Sequence, residues 1–246
     1  MPKGRSKTGQ GSAGAKIFLP PAVSVIVPVL GESEIIGQAA RHFLSATGGV
    51  NAEVIFVDGD PSGSSIKLVN SGSIRTLISP SGRGPQMNAG AEASAGRVLM
   101  FVHADTRLPE GAMEDALDVC RCPETAGGAF LLGIDSSKRG FRIIEAAANL
   151  RCRLTRIPYG DQAVFIKKSV FKTIGGYAEI PLMEDIEIMR RLKRKGLKIR
   201  LVKKAVYTSA RRWKKDGLVY GTMRNNLLSC LYYAGVKPEA LKKFYK

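Results

Sequence analysis

Five consecutive apolar residues, Val98–Val102, end abruptly in His103, Asp105 and Thr106. A run this short and this apolar suits a strand buried on both faces. In open α/β sheets, ligands bind outside the carboxyl ends of the strands. Asp105 therefore stands at the mouth of a crevice, next to Ala104, which is small enough to let a ligand approach. His103 and Asp105 together offer an imidazole and a carboxylate to a hard or borderline divalent cation. The same residues also suit a turn that caps a helix starting near Pro109. This stretch alone does not choose between the two.

The first half repeats the pattern. Val23–Val27 reads as a strand that ends at Pro28, Glu53–Val57 as a second, and Ile74–Ile78 as a third. Helical spacing is expected over Glu32–Thr47, Ser64–Asn70, Gln86–Ala95 and Pro109–Cys120. Strand and helix alternate, so a mostly parallel central sheet with covering helices follows. Acids recur where strands end: Glu32 after the first, Asp58 and Asp60 after the second, Asp105 after the Val98–Val102 run. Several acids at one sheet edge are harder to explain as caps than any single one. The first turn carries neither Gly-x-Gly-x-x-Gly nor a lysine-bearing phosphate loop.

The second half changes character. Gly127–Gly133 and Ala163–Ile166 read as strands, as do Lys198–Val202 and Val206–Ser209. Helices are expected over Arg139–Arg156, Lys168–Ile174 and Met183–Lys195, and Leu218–Tyr233 as an amphipathic helix with aromatics. From Asp185, positions i+3, i+4 and i+7 are Ile188, Met189 and Leu192, the apolar face. Asp185 thus heads an inward stripe at a helix start, where a carboxylate stays ionised and suits a general base. A plain N-terminal helix acid is the other reading.

Charge is unevenly placed. From Met1 to Asp185, 20 Lys and Arg face 18 Asp and Glu; from Ile186 to Lys246, 18 face 3, a balance of +15. Such an end is suited to nucleic acid, anionic lipid headgroups or phosphorylated substrates. Residues 1–18 read as a basic disordered tail, 19–215 as one domain and 216–246 as a helical extension. Four cysteines without a zinc or Cys-x-x-Cys spacing, and no apolar run of membrane-spanning length, give a cytoplasmic chain as the expectation.

These residues reach a family. The chain resembles family 2 glycosyltransferases, inverting enzymes of the GT-A fold that use nucleotide-diphosphate sugars. The resemblance covers roughly Val23 to Trp213. It rests on Val23–Pro28 followed by Glu32, on Val57-Asp58-Gly59-Asp60, Gln86-Met87-Asn88-Ala89-Gly90, His103-Ala104-Asp105, Gly175-Gly176-Tyr177 and Glu184-Asp185. More narrowly, His-Ala-Asp-Thr, Tyr-Gly-Asp-Gln and Ser-Ala-Arg-Arg-Trp are similar to a small bacterial subgroup associated with radical-SAM and selenium- or arsenic-related genes.

The resemblance implies the following roles. Asp58 contacts the nucleobase or ribose, with the Pro28–Glu32 turn against the nucleoside. Asp105, with His103 beside it, holds Mn²⁺ or Mg²⁺ on the donor diphosphate. Asp185 deprotonates the acceptor hydroxyl, next to Glu184. Arg212 and Trp213 lie near the diphosphate and acceptor. Asp60, Arg83 and Asn88 join the donor side; Asp161 and Gln162 shape the acceptor side. For Arg83 a solvated loop residue, for Asp161 and Gln162 a turn-stabilising pair, and for Trp213 packing on the core are the alternatives.

Two positions depart from the family pattern. His103 stands where relatives carry the first Asp of Asp-x-Asp, and Ser209 where processive relatives carry Gln. The second, with no membrane span following, argues for a single transfer. The reading is therefore an inverting glycosyltransferase with a nucleotide-diphosphate-sugar donor, a small-molecule or lipid-linked acceptor and a peripheral anionic-membrane contact. The alternatives are a basic nucleic-acid-binding protein and a non-catalytic nucleotide-sugar binder. The acids at the sheet edge, which repel phosphate without a metal, argue against nucleic acid.

Overall fold

The computed structural model describes residues 19–245, so the N-terminal tail of the sequence reading lies outside the described residues. The first half runs β1 (Val23–Val29), α1 (Ile36–Ala46), β2 (Ala52–Asp58), β3 (Ile74–Ile78), α2 (Arg83–Ala93) and β4 (Val98–Phe101). Next come β5 (Thr106–Arg107), α3 (Ala112–Arg121), β6 (Thr125–Asp135), α4 (Arg139–Thr155), β7 (Phe165–Lys167) and α5 (Lys168–Thr173). The remainder is α6 (Glu184–Arg194), β8 (Lys198–Ser209), α7 (Arg211–Asp216), α8 (Leu218–Tyr233) and α9 (Pro238–Lys242).

The strands form one sheet in the order β3-β2-β1-β4-β7-β6-β8-β5. β3, β2, β1 and β4 are parallel, which puts their carboxyl ends at one edge. β7 runs antiparallel between β4 and β6, β6 and β8 are parallel, and β5 closes antiparallel to β8. The apolar runs divide between the two faces with the period of a strand. Val23, Val25 and Val27 meet Phe43 of α1 and Met113 of α3, while Ile26, Ile55 and Leu99 meet Met87 of α2 and Ile188 of α6.

Several elements differ from the sequence reading. α2 begins at Arg83, three residues before the expected Gln86, because Pro85 is tolerated in a first helical turn. Ser64–Asn70 yields only a 3₁₀ turn over Ile66–Leu68. The two expected strands Lys198–Val202 and Val206–Ser209 are one strand, β8, whose pairing with β6 shifts register at a bulge. β5, α7 and α9 were not expected.

α8 has the expected bounds but is not amphipathic: Leu228 is buried on one side, and Val219, Met223 and Leu227 are exposed on the other. Leu228 and Leu241, in the C-terminal extension, belong to the same core cluster as Ile26 and Leu99.

α2 lies unusually close to the sheet. A Cβ on Gly90 would sit 2.5 Å from Ile26 Cγ2 and 3.1 Å from Val57 Cγ2. Glycine at this point lets the second turn of the helix lie directly on β1 and β2. Replacing Gly90 with Ala overpacks that contact, so Gly90→Ala is expected to destabilise by about 1–3 kcal/mol, read in a denaturant titration. A variant as stable as the parent would show that the helix moves freely off the sheet.

Candidate active site

A cleft of about 530 Å³ opens at the carboxyl edge of β1 and β4. It gathers residues far apart in sequence. Pro28 and Glu32 follow β1, Arg83 opens α2, and His103 and Asp105 follow β4. Asp161 comes from the turn before β7, Glu184 and Asp185 from the first turn of α6, and Arg212 and Trp213 from α7. Asn225, Leu228 and Ser229 of α8 and Tyr245 near the C-terminus complete the wall.

The β4 end is held from both sides. Val102 N–H donates to the Ile26 carbonyl at 3.0 Å and Phe101 N–H to the Val164 carbonyl at 2.8 Å. Asp105 leaves that frame half-exposed. Its carboxylate is 3.5 Å from Arg211 Nη2, which also lies 3.2 Å from Glu32 Oε2. Arg211 thus bridges the two acids that leave β1 and β4. The sequence reading named Arg212 and passed over Arg211. The Ser-Ala-Arg-Arg-Trp stretch carries two adjacent arginines, about 100° apart on a helix, and nothing in their spacing says which one turns to Asp105. Arg212 instead reaches the Tyr245 hydroxyl and stacks its guanidinium 5.5 Å from that ring's centroid.

At the start of α6 the carboxylates lie close together. Asp185 Oδ2 accepts the Gly160 N–H at 2.8 Å, and Oδ1 accepts the Ile186 N–H at 2.7 Å. Glu184 shares the head of the inward stripe with Asp185. Glu184 precedes Ile188 by four residues just as Asp185 precedes Met189, so the stripe extends back to both. Glu184 is the more buried, 4% exposed, with Arg83 Nη1 3.8 Å away, and Asp185 lines the open cleft.

Burial and then the neighbouring Asp185 push the Asp161 carboxyl up to about 6. The same two causes, in the same order, raise Glu184 against the opposing pull of Arg83. His103 is held well below the usual imidazole range by burial, then by Arg83 and Arg212, so it is a neutral ring at neutral pH.

Four residues of the sequence reading do not line the cleft. Asp58 is fully buried, and its carboxylate accepts the N–H groups of Asp60 and Ser65 at 2.9 Å and of Ile66 at 3.3 Å. Ser65 Oγ in turn accepts the Glu32 N–H at 3.1 Å. Asp58 therefore touches the cleft only through Ser65 and the Glu32 turn. Asp60 is half-buried on its own loop and accepts the N–H and the hydroxyl of Ser62. Asn88 makes a two-way bond to the Tyr177 backbone, which fixes the loop before α6. Gln162 is buried, donating to the Phe130 carbonyl and accepting the Tyr159 N–H, so it sets the turn that aims Gly160 at Asp185.

Trp213 rests against Phe141, edge to face at 5.8 Å, and donates to Thr222 Oγ1, with only part of it on the cleft. The ring therefore both packs on Phe141 and lines the cleft.

Gln86 was quoted in a motif but given no role. Its buried amide donates to the Val29 carbonyl at 2.7 Å and the Val57 carbonyl at 2.8 Å, tying the ends of β1 and β2 together.

Three comparisons bear on this cleft. No curated protein matches the chain. Among solved structures, the mannosyltransferase PcManGT from Pyrobaculum calidifontis, in complex with GDP-Man and Mn2+, superposes with a TM-score of 0.63 at 16% identity. That match covers 92% of this chain and 68% of the other. At this identity it speaks for the fold, which is of the GT-A type. The model of the family described as Glycosyl transferase family 2 matches residues 24–178. That span is more than half of the chain and takes in the Glu32, Asp105 and Asp161 walls of the cleft, and the chain belongs to glycosyl transferase family 2.

Proposed function

We propose that the chain transfers one sugar from a nucleotide-diphosphate sugar to an acceptor hydroxyl, with inversion, using Asp185 as the general base. The observation that carries this reading is the Asp185 carboxylate on the cleft wall, oriented by the Gly160 N–H. A base must be positioned before its pKa matters. Gly160 fixes one oxygen at 2.8 Å, and the carboxylate keeps lone pairs for a hydroxyl proton. Abstraction of that proton by Asp185 as the oxygen attacks from the face opposite the leaving group gives inversion in one displacement.

The leaving diphosphate gathers negative charge as the sugar departs. Arg211 and Arg212 enter the cleft region from α7, and Arg83 from α2, so fixed cations stand ready for that charge. A divalent cation, when bound, adds neutralisation of the diphosphate.

The residues fit such an ion shared with substrate. No cluster of three His, Cys, Asp or Glu stands together among the described residues. A half-exposed Asp105 and a neutral His103 suit an ion that draws its remaining ligands from phosphate oxygens and water. The mannosyltransferase of similar fold was solved with GDP-Man and Mn2+, which supports the same class of donor and ion here. The narrower likeness to the subgroup associated with radical-SAM and selenium- or arsenic-related genes also belongs to this proposal. So does cytoplasmic placement.

Asp105→Ala is expected to abolish the Mn²⁺-dependent part of nucleotide-diphosphate binding, measured by calorimetry with and without the ion. Unchanged, ion-independent affinity would remove Asp105 from the donor site.

Asp185→Asn keeps the acceptor for Gly160 but cannot take a proton. It is expected to cut transfer by about 10²–10⁴-fold at saturating donor, with its melting temperature near that of the parent. Near-normal turnover would move the base elsewhere, Asp161 being next in line.

The raised carboxyl of Asp161 gives a separate test. A group whose pKa is higher folded than unfolded contributes stability below its unfolded pKa and loses it as pH rises through the folded value, here about 6. Asp161→Asn removes that late loss. Its melting temperature should exceed the parent's at pH 8 and not at pH 4; equal values at both would mean that Asp161 is solvated.

A further inference from the structure

We propose that the outer faces of α4 and α8 form a surface that docks onto an anionic lipid bilayer. On α4, Ile143, Leu150 and Leu154 are 73%, 56% and 76% exposed, and the exposed Ala147 fills the gap between them. Their spacing places them along one stripe of the helix. On α8, Val219, Met223 and Leu227 repeat every fourth residue at 68%, 66% and 60% exposure, with Tyr220 alongside. The two helices lie side by side: Gly140 at the start of α4 abuts Leu218 at the start of α8. Isolated exposed apolar residues are ordinary, but two neighbouring stripes of them mark an interaction surface.

The charges around the stripes select the partner. Lys138, Arg139, Arg142, Arg153 and Arg156 are exposed on or beside α4, and Lys214 and Lys215 precede α8. Neither helix carries an exposed acid. Glu145, the one acid of α4, is turned inward to the Ile134 N–H and paired with Arg142. Apolar stripes rimmed by bases are the pattern of helices lying in a membrane interface, with the long basic side chains reaching to headgroups.

A second copy of the chain fits this face worse. A two-fold contact would set the patch against itself and bring the basic rims together. No helix among the described residues is long and apolar enough to cross a membrane, so the contact is one of lying on the surface. The inner face of α8 contributes Asn225, Leu228 and Ser229 to the cleft, so the same helix would stand between the cleft and the lipid. The inference depends on these two helices and not on the transfer chemistry.

The test is co-sedimentation of the full chain with vesicles, in the absence of any donor. Vesicles of phosphatidylglycerol in phosphatidylcholine are compared with phosphatidylcholine alone, at low and high salt. The parent is expected to pellet with the anionic vesicles and to retain part of that binding at high salt, since apolar insertion is not screened. The double variant Leu154→Glu, Met223→Glu should lose at least about tenfold in partitioning. Arg139→Glu with Arg153→Glu should lose binding to anionic vesicles at low salt.

All of these side chains project outward, so melting temperatures and the thermal shift with nucleotide-diphosphate sugar should stay at parental values, separating a membrane defect from a donor defect. Parental partitioning by the Leu154, Met223 variant overturns the proposal, as does failure of the parent to pellet. A parental dimer in sedimentation velocity that this same variant makes monomeric would assign the face to a second copy instead.

Discussion

The cleft depends on how the end of β4 is held. β4 is where the sheet changes sense, parallel to β1 on one side and antiparallel to β7 on the other. Its last amides are bonded to both neighbours, through the Ile26 and Val164 carbonyls. Chain leaving a strand pinned from both sides has little freedom, so Asp105 emerges at a defined point. The reversal at β7 also opens the space, because the next parallel crossover does not fill the position beside β4. The start of α6 occupies that side instead, and brings two carboxylates to face the β4 exit. A sheet parallel throughout would cover the same place with a crossover connection.

Behind the cleft, buried polar side chains do the positioning. Asp58 gathers three backbone N–H groups, and Ser65 passes its order on to Glu32. Gln86 joins β1 to β2, Asn88 joins α2 to the loop before α6, and Gln162 joins β6 to the turn carrying Gly160. Each satisfies main-chain groups that irregular segments would otherwise leave unpaired in the interior. Removing one partner exposes a buried group to the full desolvation penalty, about 1–3 kcal/mol, so these positions resist change for structural reasons alone. That explains why residues of a recognisable motif can stand off the cleft wall.

How far this was legible in the sequence follows from the same distinction. The run at Val98–Val102 announces a strand because burial on both faces requires unbroken apolar side chains, and Val23–Val27 does so with only Ser24 interrupting. Ile74–Ile78, an edge strand with exposed Arg75 and Thr76, is legible only as a short stretch bounded by turn residues. The period of α6 places Ile188, Met189 and Leu192 inward for a comparable reason. Chain separation hid the rest. Arg211 meets Glu32 and Asp105 across 179 and 106 residues, and a pairing at that distance leaves no local pattern. Asp58 looked like a ligand because its local signature, an acid in a Gly- and Ser-rich turn after a strand, is the same whether its oxygens bind a substrate or the turn itself. α8 looked amphipathic because spacing shows that a helix has an apolar face and not whether it has a second one.

Arg211 also changes how the charge of the cleft should be understood. By its +15 balance the last quarter reads as a basic module on a nearly neutral body. In the fold, part of that module is brought back to the acids. Arg211 spans Glu32 and Asp105, and Arg212 lies on the wall with Tyr245. Held beside Arg211, the two acids need no external cation to coexist, and the bridge is weak enough at 46% side-chain exposure of the arginine to be exchanged. A diphosphate is a better partner for that guanidinium than two single carboxylate contacts, since planar, bidentate geometry matches phosphate oxygens. On the proposed transfer reading, drawing Arg211 toward the donor diphosphate would release Asp105 for an ion on the same diphosphate. The donor and its counter-ions would then assemble together, with the protein's own arginine as the placeholder.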